Sequence, residues 1–127
     1  MAPRYTLKIV TDFAAAHTLR GYPGDCSRMH GHNWKVEVEV VAHALDAYGM
    51  GMDFKAIKHG AKDVINELDH RYLNELAAFE RVNPTAENLA LFLYQTIGHK
   101  LNAPGVRVSA VTVWETERAC ARYSEDE

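Results

Sequence analysis

Two of the chain's seven histidines are separated by a single glycine, His30-Gly31-His32, and the run that follows, Asn33-Trp34-Lys35-Val36-Glu37-Val38-Glu39-Val40, alternates polar and apolar. In an extended strand, residues two apart point to the same face. His30 and His32 therefore share the face that Trp34, Val36, Val38 and Val40 bury. Their Cα atoms should sit about 6.6 Å apart, which lets two imidazoles converge on one ion. Residues 5–17 alternate as well. Tyr5, Leu7, Ile9, Phe13, Ala15 and His17 fall on one parity, and Thr6, Lys8 and Asp12 on the other. The last inward-facing position of that strand is again a histidine. Three histidines with an open fourth position describe a catalytic zinc site rather than a structural one. Zinc held this way polarises and acidifies a hydroxyl or carbonyl group. Buried imidazoles without partners are costly, so three at neighbouring strand ends read better as ligands than as core residues. His43, His59 and His99 stand alone in polar settings and read as surface residues.

Cys26 lies four residues before His30, in a loop over residues 19–29 marked by Gly21, Pro23, Gly24 and Asp25. A thiol beside zinc and imidazole should have a lowered pKa and act as a base or nucleophile. As a fourth zinc ligand it would instead close the site, and the spacing leaves both roles open. Cys120 reads as packing in the last strand. Asp69 and His70 are adjacent, and adjacent residues on a helix do not face each other. They can act together only if the helix before them ends near Leu68. Otherwise His70 is a solvated terminus favourable to the helix dipole.

These groups must be carried by a fold of 127 residues, enough for one domain with one core spanning residues 1–127. Hydrophobic residues make up 47% and charged residues 24%, a globular composition. The net charge of −3 gives no basic surplus for nucleic acid or an anionic membrane. No apolar run approaches the ~18–20 residues of a membrane span, and the N-terminus lacks the apolar stretch of a signal peptide. Two cysteines make no disulfide framework. A cytoplasmic protein is expected.

After the two strands, Phe54, Ile57, Ala61, Val64, Ile65 and Leu68 recur at spacings of three and four. This predicts an amphipathic helix over residues 54–68 with Asp53 as N-cap. Asn83-Pro84 breaks the chain, Thr85 caps a second helix, and Glu87 suits its first turn. Pro104-Gly105 ends it. Residues 106–116 and 119–123 are extended. The order ββααββ predicts an α+β fold, a four-stranded antiparallel sheet with both helices on one face. Such a sheet leaves its edges open, and strand-edge oligomerisation is one remedy, so a homo-oligomer is expected.

Six motifs occur in order: Phe13-Ala14-Ala15-Ala16-His17, Cys26-x-x-x-His30-Gly31-His32, Met52-Asp53-Phe54, Leu68-Asp69-His70 with Leu73-Asn74, Asn83-Pro84-Thr85-x-Glu87-Asn88, and Trp114-Glu115-Thr116. Together they resemble the 6-pyruvoyl-tetrahydropterin synthase family from about residue 5 to 123. The short gap between Cys26 and His30 is most similar to the bacterial 6-carboxy-tetrahydropterin synthases of queuosine biosynthesis. The resemblance implies a tunnelling fold (T-fold), in which three protomers close a barrel and two rings stack into a hexamer. It implies one Zn²⁺ per protomer on His17, His30 and His32. It implies a catalytic set of Cys26, Asp69 and His70, and a pterin anchor at Glu115 with Thr85 and Glu87 near the ring. The implied substrate is 7,8-dihydroneopterin triphosphate. A carboxylate at Glu115 also has a reason of its own, since it can accept two parallel hydrogen bonds from the N–H edge of a 2-amino-4-oxo pterin. Arg20, Arg28, Lys35 and Arg122 are cations near the motifs, and no spacing selects among them for the triphosphate.

Overall fold

A computed structural model describes residues 3–125. Strand β1 (Tyr5–His17) and strand β2 (His30–Ala42) pair antiparallel along their whole length, from Tyr5 opposite Ala42 to His17 opposite His30. Helix α1 (Phe54–Ile65) follows, then a two-residue strand β3 (Arg71–Tyr72), helix α2 (Ala86–Leu101), strand β4 (Val106–Thr116) and strand β5 (Ala119–Ser124). The alternation that marks β1 and β2 survives as burial. Ile9, Phe13, Trp34, Val36, Val38 and Val40 are buried together with Val108, Val111 and Val113 of β4. Both helices cover this face. α1 packs on β1, α2 on β4 and β5, and the helices on each other. Ile57, Ala61 and Val64 from α1 and Leu89, Leu93 and Ile97 from α2 complete the core. Gly60 brings the helices close, because a Cβ there would lie 2.6 Å from Leu101 Cδ2.

The caps are those expected. Asp53 accepts from the Lys55 N–H at 2.8 Å, and Thr85 Oγ1 accepts from the Asn88 N–H at 3.1 Å.

The sheet departs from the expected four antiparallel strands. Among the described residues it has five, in the order β3-β1-β2-β4-β5, and β3 runs parallel to β1 at Ala15 and Ala16. The element order is ββαβαββ. Two residues carry no readable period, so β3 left no mark in the sequence. Helix α1 also stops earlier than expected, at Ile65. Beyond it the backbone tightens, with the Glu67 N–H bonded to Val64 O and the Leu68 N–H to Ile65 O. His70 then takes a left-handed backbone, φ 59°, and turns the chain alongside β1. The Tyr5–Phe13 stretch of β1 has no partner on its outer side among the described residues.

Candidate metal centre and adjoining cleft

The antiparallel register sets the site. His17 faces His30 across the β1–β2 pair, and His32 faces Ala15 one step inward. The three ring centroids lie 4.5 Å (His17–His30), 4.9 Å (His30–His32) and 5.2 Å (His17–His32) apart. Trp34 is the buried floor, meeting His17 and His32 edge-on at 5.0 and 5.1 Å and donating its indole N–H to Ala15 O at 3.2 Å.

Backbone carbonyls orient two rings. His17 Nδ1 donates to Pro84 O at 2.7 Å, and His30 Nδ1 donates to Arg28 O at 2.7 Å. A carbonyl can only accept, so each Nδ1 carries the proton and each Nε2 keeps its lone pair. Buried and without a hydrogen-bond partner are His17 Nε2 and His32 Nε2. Burial holds the His17 imidazole below its ordinary pKa, against the opposing effect of the Pro84 carbonyl. Burial likewise lowers His32, with Glu115 opposing. Both rings are thus neutral near pH 7. Neutral imidazoles with unused, inward-facing lone pairs are what a divalent metal requires, and the donor set fits zinc.

Glu115 joins them. Its Oε1 lies 3.4 Å from His17 Nε2 and 3.7 Å from His32 Nε2, and one ligand atom from each of His17, His30, His32 and Glu115 fits within 4.8 Å of the others. The family resemblance implies a role for Glu115 toward a pterin ring, and the structure brings the same side chain beside the imidazoles. Its parity with Val111 and Val113 was legible, but the adjacency of β2 and β4 was not.

Asp69 and His70 do form a pair. His70 Nδ1 lies 3.1 Å from Asp69 Oδ2. The left-handed turn makes this possible for adjacent residues, because α1 has already ended. The pair is fixed to the edge of β1, with Asp69 Oδ1 accepting the Ala14 N–H at 2.9 Å and the His70 N–H donating to Ala14 O at 2.6 Å. The Ala14 N–H, and then His70, hold the Asp69 carboxyl below its ordinary pKa. A cleft of about 530 Å³ lies beside His70, with His32, His70, Arg71 and Tyr72 in its wall and the small Ala14, Ala16 and Gly31 in its lining. That volume suits a small-molecule ligand.

Cys26 sits in an exposed single turn (Asp25–Ser27) outside the four-group cluster. Its carbonyl accepts the Leu19 N–H at 2.9 Å, which folds the loop back toward β1. Thr85 spends its hydroxyl oxygen on the α2 cap, and Glu87 is exposed in the first turn of that helix. Of the four candidate cations, three are engaged elsewhere. Arg122 grips Glu39 through two bonds of 2.9 and 3.1 Å, and Lys35 lies 4.6 Å over the Trp114 ring. Arg20 donates to Asn74 O and Val82 O. Cys120, expected to be packing, is exposed. His43, His59 and His99 are exposed as expected.

Two asparagines were missed. Asn83 Oδ1 accepts the Arg20 N–H at 2.8 Å while its Nδ2 donates to Arg20 O at 3.2 Å, and Asn74 treats Thr18 in the same way. They hold the segment that leaves His17. The Asn74 and Asn83-Pro84 motifs were visible, but nothing in them announces a side chain bonded to distant backbone.

Comparison with known proteins agrees with this geometry. Residues 6–126 match the family described as 6-pyruvoyl tetrahydropterin synthase. A 6-carboxy-5,6,7,8-tetrahydropterin synthase of Synechocystis is 37% identical over 116 residues, covering 87% of this chain and 86% of its own. A dihydroneopterin monophosphate aldolase of Pyrococcus furiosus is 36% identical over 104 residues, covering 81% and 82%. The solved 6-pyruvoyl tetrahydropterin synthase of Caenorhabditis elegans superposes with a TM-score of 0.87 at 26% identity, covering 98% of this chain and 97% of that one.

Proposed function

This chain belongs to the 6-pyruvoyl tetrahydropterin synthase family, and from that premise we propose that it is a zinc lyase making 6-carboxy-5,6,7,8-tetrahydropterin from 7,8-dihydroneopterin triphosphate. One water is consumed, and triphosphate and acetaldehyde leave. The product would feed queuosine and related 7-deazapurine biosynthesis in the cytoplasm. No described helix is long and apolar enough to cross a membrane.

One observation carries this reading: the paired, neutral His17 and His32 with buried Nε2 atoms that nothing else satisfies. His17, His30 and His32 would hold the zinc. When bound, the metal supplies a Lewis acid that lowers the pKa of substrate oxygens and of the adjacent C–H. The other steps belong to the chain. Cys26, as thiolate, takes the proton from the substrate side chain. Asp69 keeps its charge and orients His70, which relays protons across the cleft. Glu115 accepts the N–H edge of the pterin ring, with Thr85 and Glu87 close to the ring. The unpaired outer edge of β1 supports assembly with other copies, as a hexamer of two stacked trimers.

The structural likeness to a protein named for the pyruvoyl product favours one second reading, in which the reaction stops after triphosphate elimination. The zinc-loaded protein is to be incubated with 7,8-dihydroneopterin triphosphate and the products identified by mass. Carboxy product with acetaldehyde is expected. Pyruvoyl product without acetaldehyde would establish the second reading, and the absence of any turnover would sink both. Cys26→Ala should abolish turnover and retain zinc; surviving turnover would remove the thiol from the mechanism.

A further inference from the structure

Glu115 occupies an unusual place on its strand. β4 pairs with β5 at Trp114–Cys120 and again at Thr116–Ala119, so the register shifts between them and Glu115 is the extra residue. On its other side, the β2–β4 ladder ends at Lys35–Trp114. Glu115 is therefore unpaired on both flanks, and an extra residue of this kind re-aims its side chain. The side chain is 35% exposed, and its Oε1 points among the imidazoles.

The distances identify what it does there. At 3.4 and 3.7 Å from His17 Nε2 and His32 Nε2, the carboxylate is beyond the roughly 3.2 Å of a good N–H···O bond. Ligand atoms around a tetrahedral zinc, each about 2.0–2.1 Å from the metal, lie about 3.3–3.4 Å from one another. The His17 distance matches that spacing, the His32 distance exceeds it by a few tenths of an ångström, and all four donor atoms lie within 4.8 Å of one another, so the carboxylate is within reach of the fourth position.

We propose that Glu115 has two alternative partners: at rest it is the fourth protein ligand of the metal, and an arriving pterin ring draws it away to its own N–H edge. The proposal rests on the pterin reading above and deepens it. Ring recognition and the opening of the metal's substrate position become one event. Without substrate, three histidines and a carboxylate close the site. With the ring bound, the carboxylate is spent on the ring and the freed position faces the substrate side chain. The coupling is reciprocal. Whatever factor the ring takes from metal affinity, the metal takes from ring affinity.

The test uses the cobalt-substituted protein and 6-methylpterin, a pterin whose substituent carries no oxygen. Cobalt affinity is measured by chelator competition, coordination by the visible cobalt bands, and ring binding by calorimetry. Glu115→Gln should bind cobalt at least about tenfold more weakly, the low end of what removing a mere outer partner of a ligand costs. In the unaltered protein, 6-methylpterin should shift the cobalt bands, and it should bind the metal-free form more tightly than the cobalt form. A Glu115→Gln protein that holds cobalt as well as the unaltered one overturns the proposal. So does 6-methylpterin that binds and leaves the bands unmoved, and that result leaves the pterin reading standing. Failure of 6-methylpterin to bind either form sinks the proposal and the pterin reading together.

Discussion

Asn74 holds Thr18 as a neighbouring strand would: its Oδ1 accepts the Thr18 N–H at 2.9 Å and its Nδ2 donates to the Thr18 carbonyl at 3.0 Å. Asn74 is buried and Thr18 half-buried, so both backbone groups are partly shielded from water. Asn74→Ala strands both and should destabilise the fold by about 2–3 kcal/mol. Asn74→Asp keeps the acceptor and loses the donor, and it should cost as much or more because the new charge is buried. Urea denaturation measures both. Because Thr18 follows His17, each variant should also bind zinc more weakly. Unchanged stability in Asn74→Ala would show that the clamp contributes nothing.

His70 sits at φ 59°, a region that costs a residue with a Cβ about 1 kcal/mol and glycine almost nothing. Its ring is 82% exposed, so little packing is lost with it. His70→Gly should leave stability within about 1 kcal/mol of the unaltered protein while turnover falls on the order of 10²-fold, the loss of a proton relay. His70→Val should cost stability as well, because a β-branched residue resists this backbone. Turnover of His70→Gly at the normal rate would remove the relay role.

The Glu39–Arg122 pair ties β5 to β2 across β4. Arg122 holds the Glu39 carboxyl below its ordinary value of 4.5. The folded protein therefore binds fewer protons than the unfolded chain as pH drops through that value. Its contribution is complete above about pH 4.5 and is lost as pH falls toward the depressed folded pKa. Arg122 is half exposed, so the contribution should be no more than about 1 kcal/mol. Arg122→Met should lose that amount at pH 7 and less of it at pH 3. Denaturation midpoints at the two pH values decide; an equal loss at both would assign the effect to packing.

Zinc removal should lower the melting temperature. At free zinc a thousandfold above Kd, the gain on binding is about 4 kcal/mol. His30→Asn should melt at one temperature with and without zinc. A zinc-dependent melting shift as large in His30→Asn as in the unaltered protein would displace the site from the histidine cluster.

The sequence carried the parts of the site that obey a local period. His30 and His32 were legible because a strand repeats every two residues, and His17 because it keeps the inward parity of Ile9, Phe13 and Ala15. Asp53 and Thr85 were legible because caps act within three residues. What failed was non-local. The place of Glu115 beside His17 depends on β4 lying next to β2, and no residue pattern states which strands are neighbours. β3 is too short for any period, and its existence follows from the left-handed turn at His70. Asn74 and Asn83 bond to backbone more than fifty positions away. Exposure of Cys120 followed from β5 being the outer strand, which only the topology reveals.

The histidines stand on fully paired strands, whereas Cys26 stands on a loop exposed from Arg20 to Met29. That loop is joined to the metal site through its carbonyls: Cys26 O accepts the Leu19 N–H, and Arg28 O fixes the His30 ring. Backbone, not side chain, makes both links, so another reactive residue could stand at position 26 with the ligand geometry intact, and the reaction can be exchanged while the metal centre is inherited.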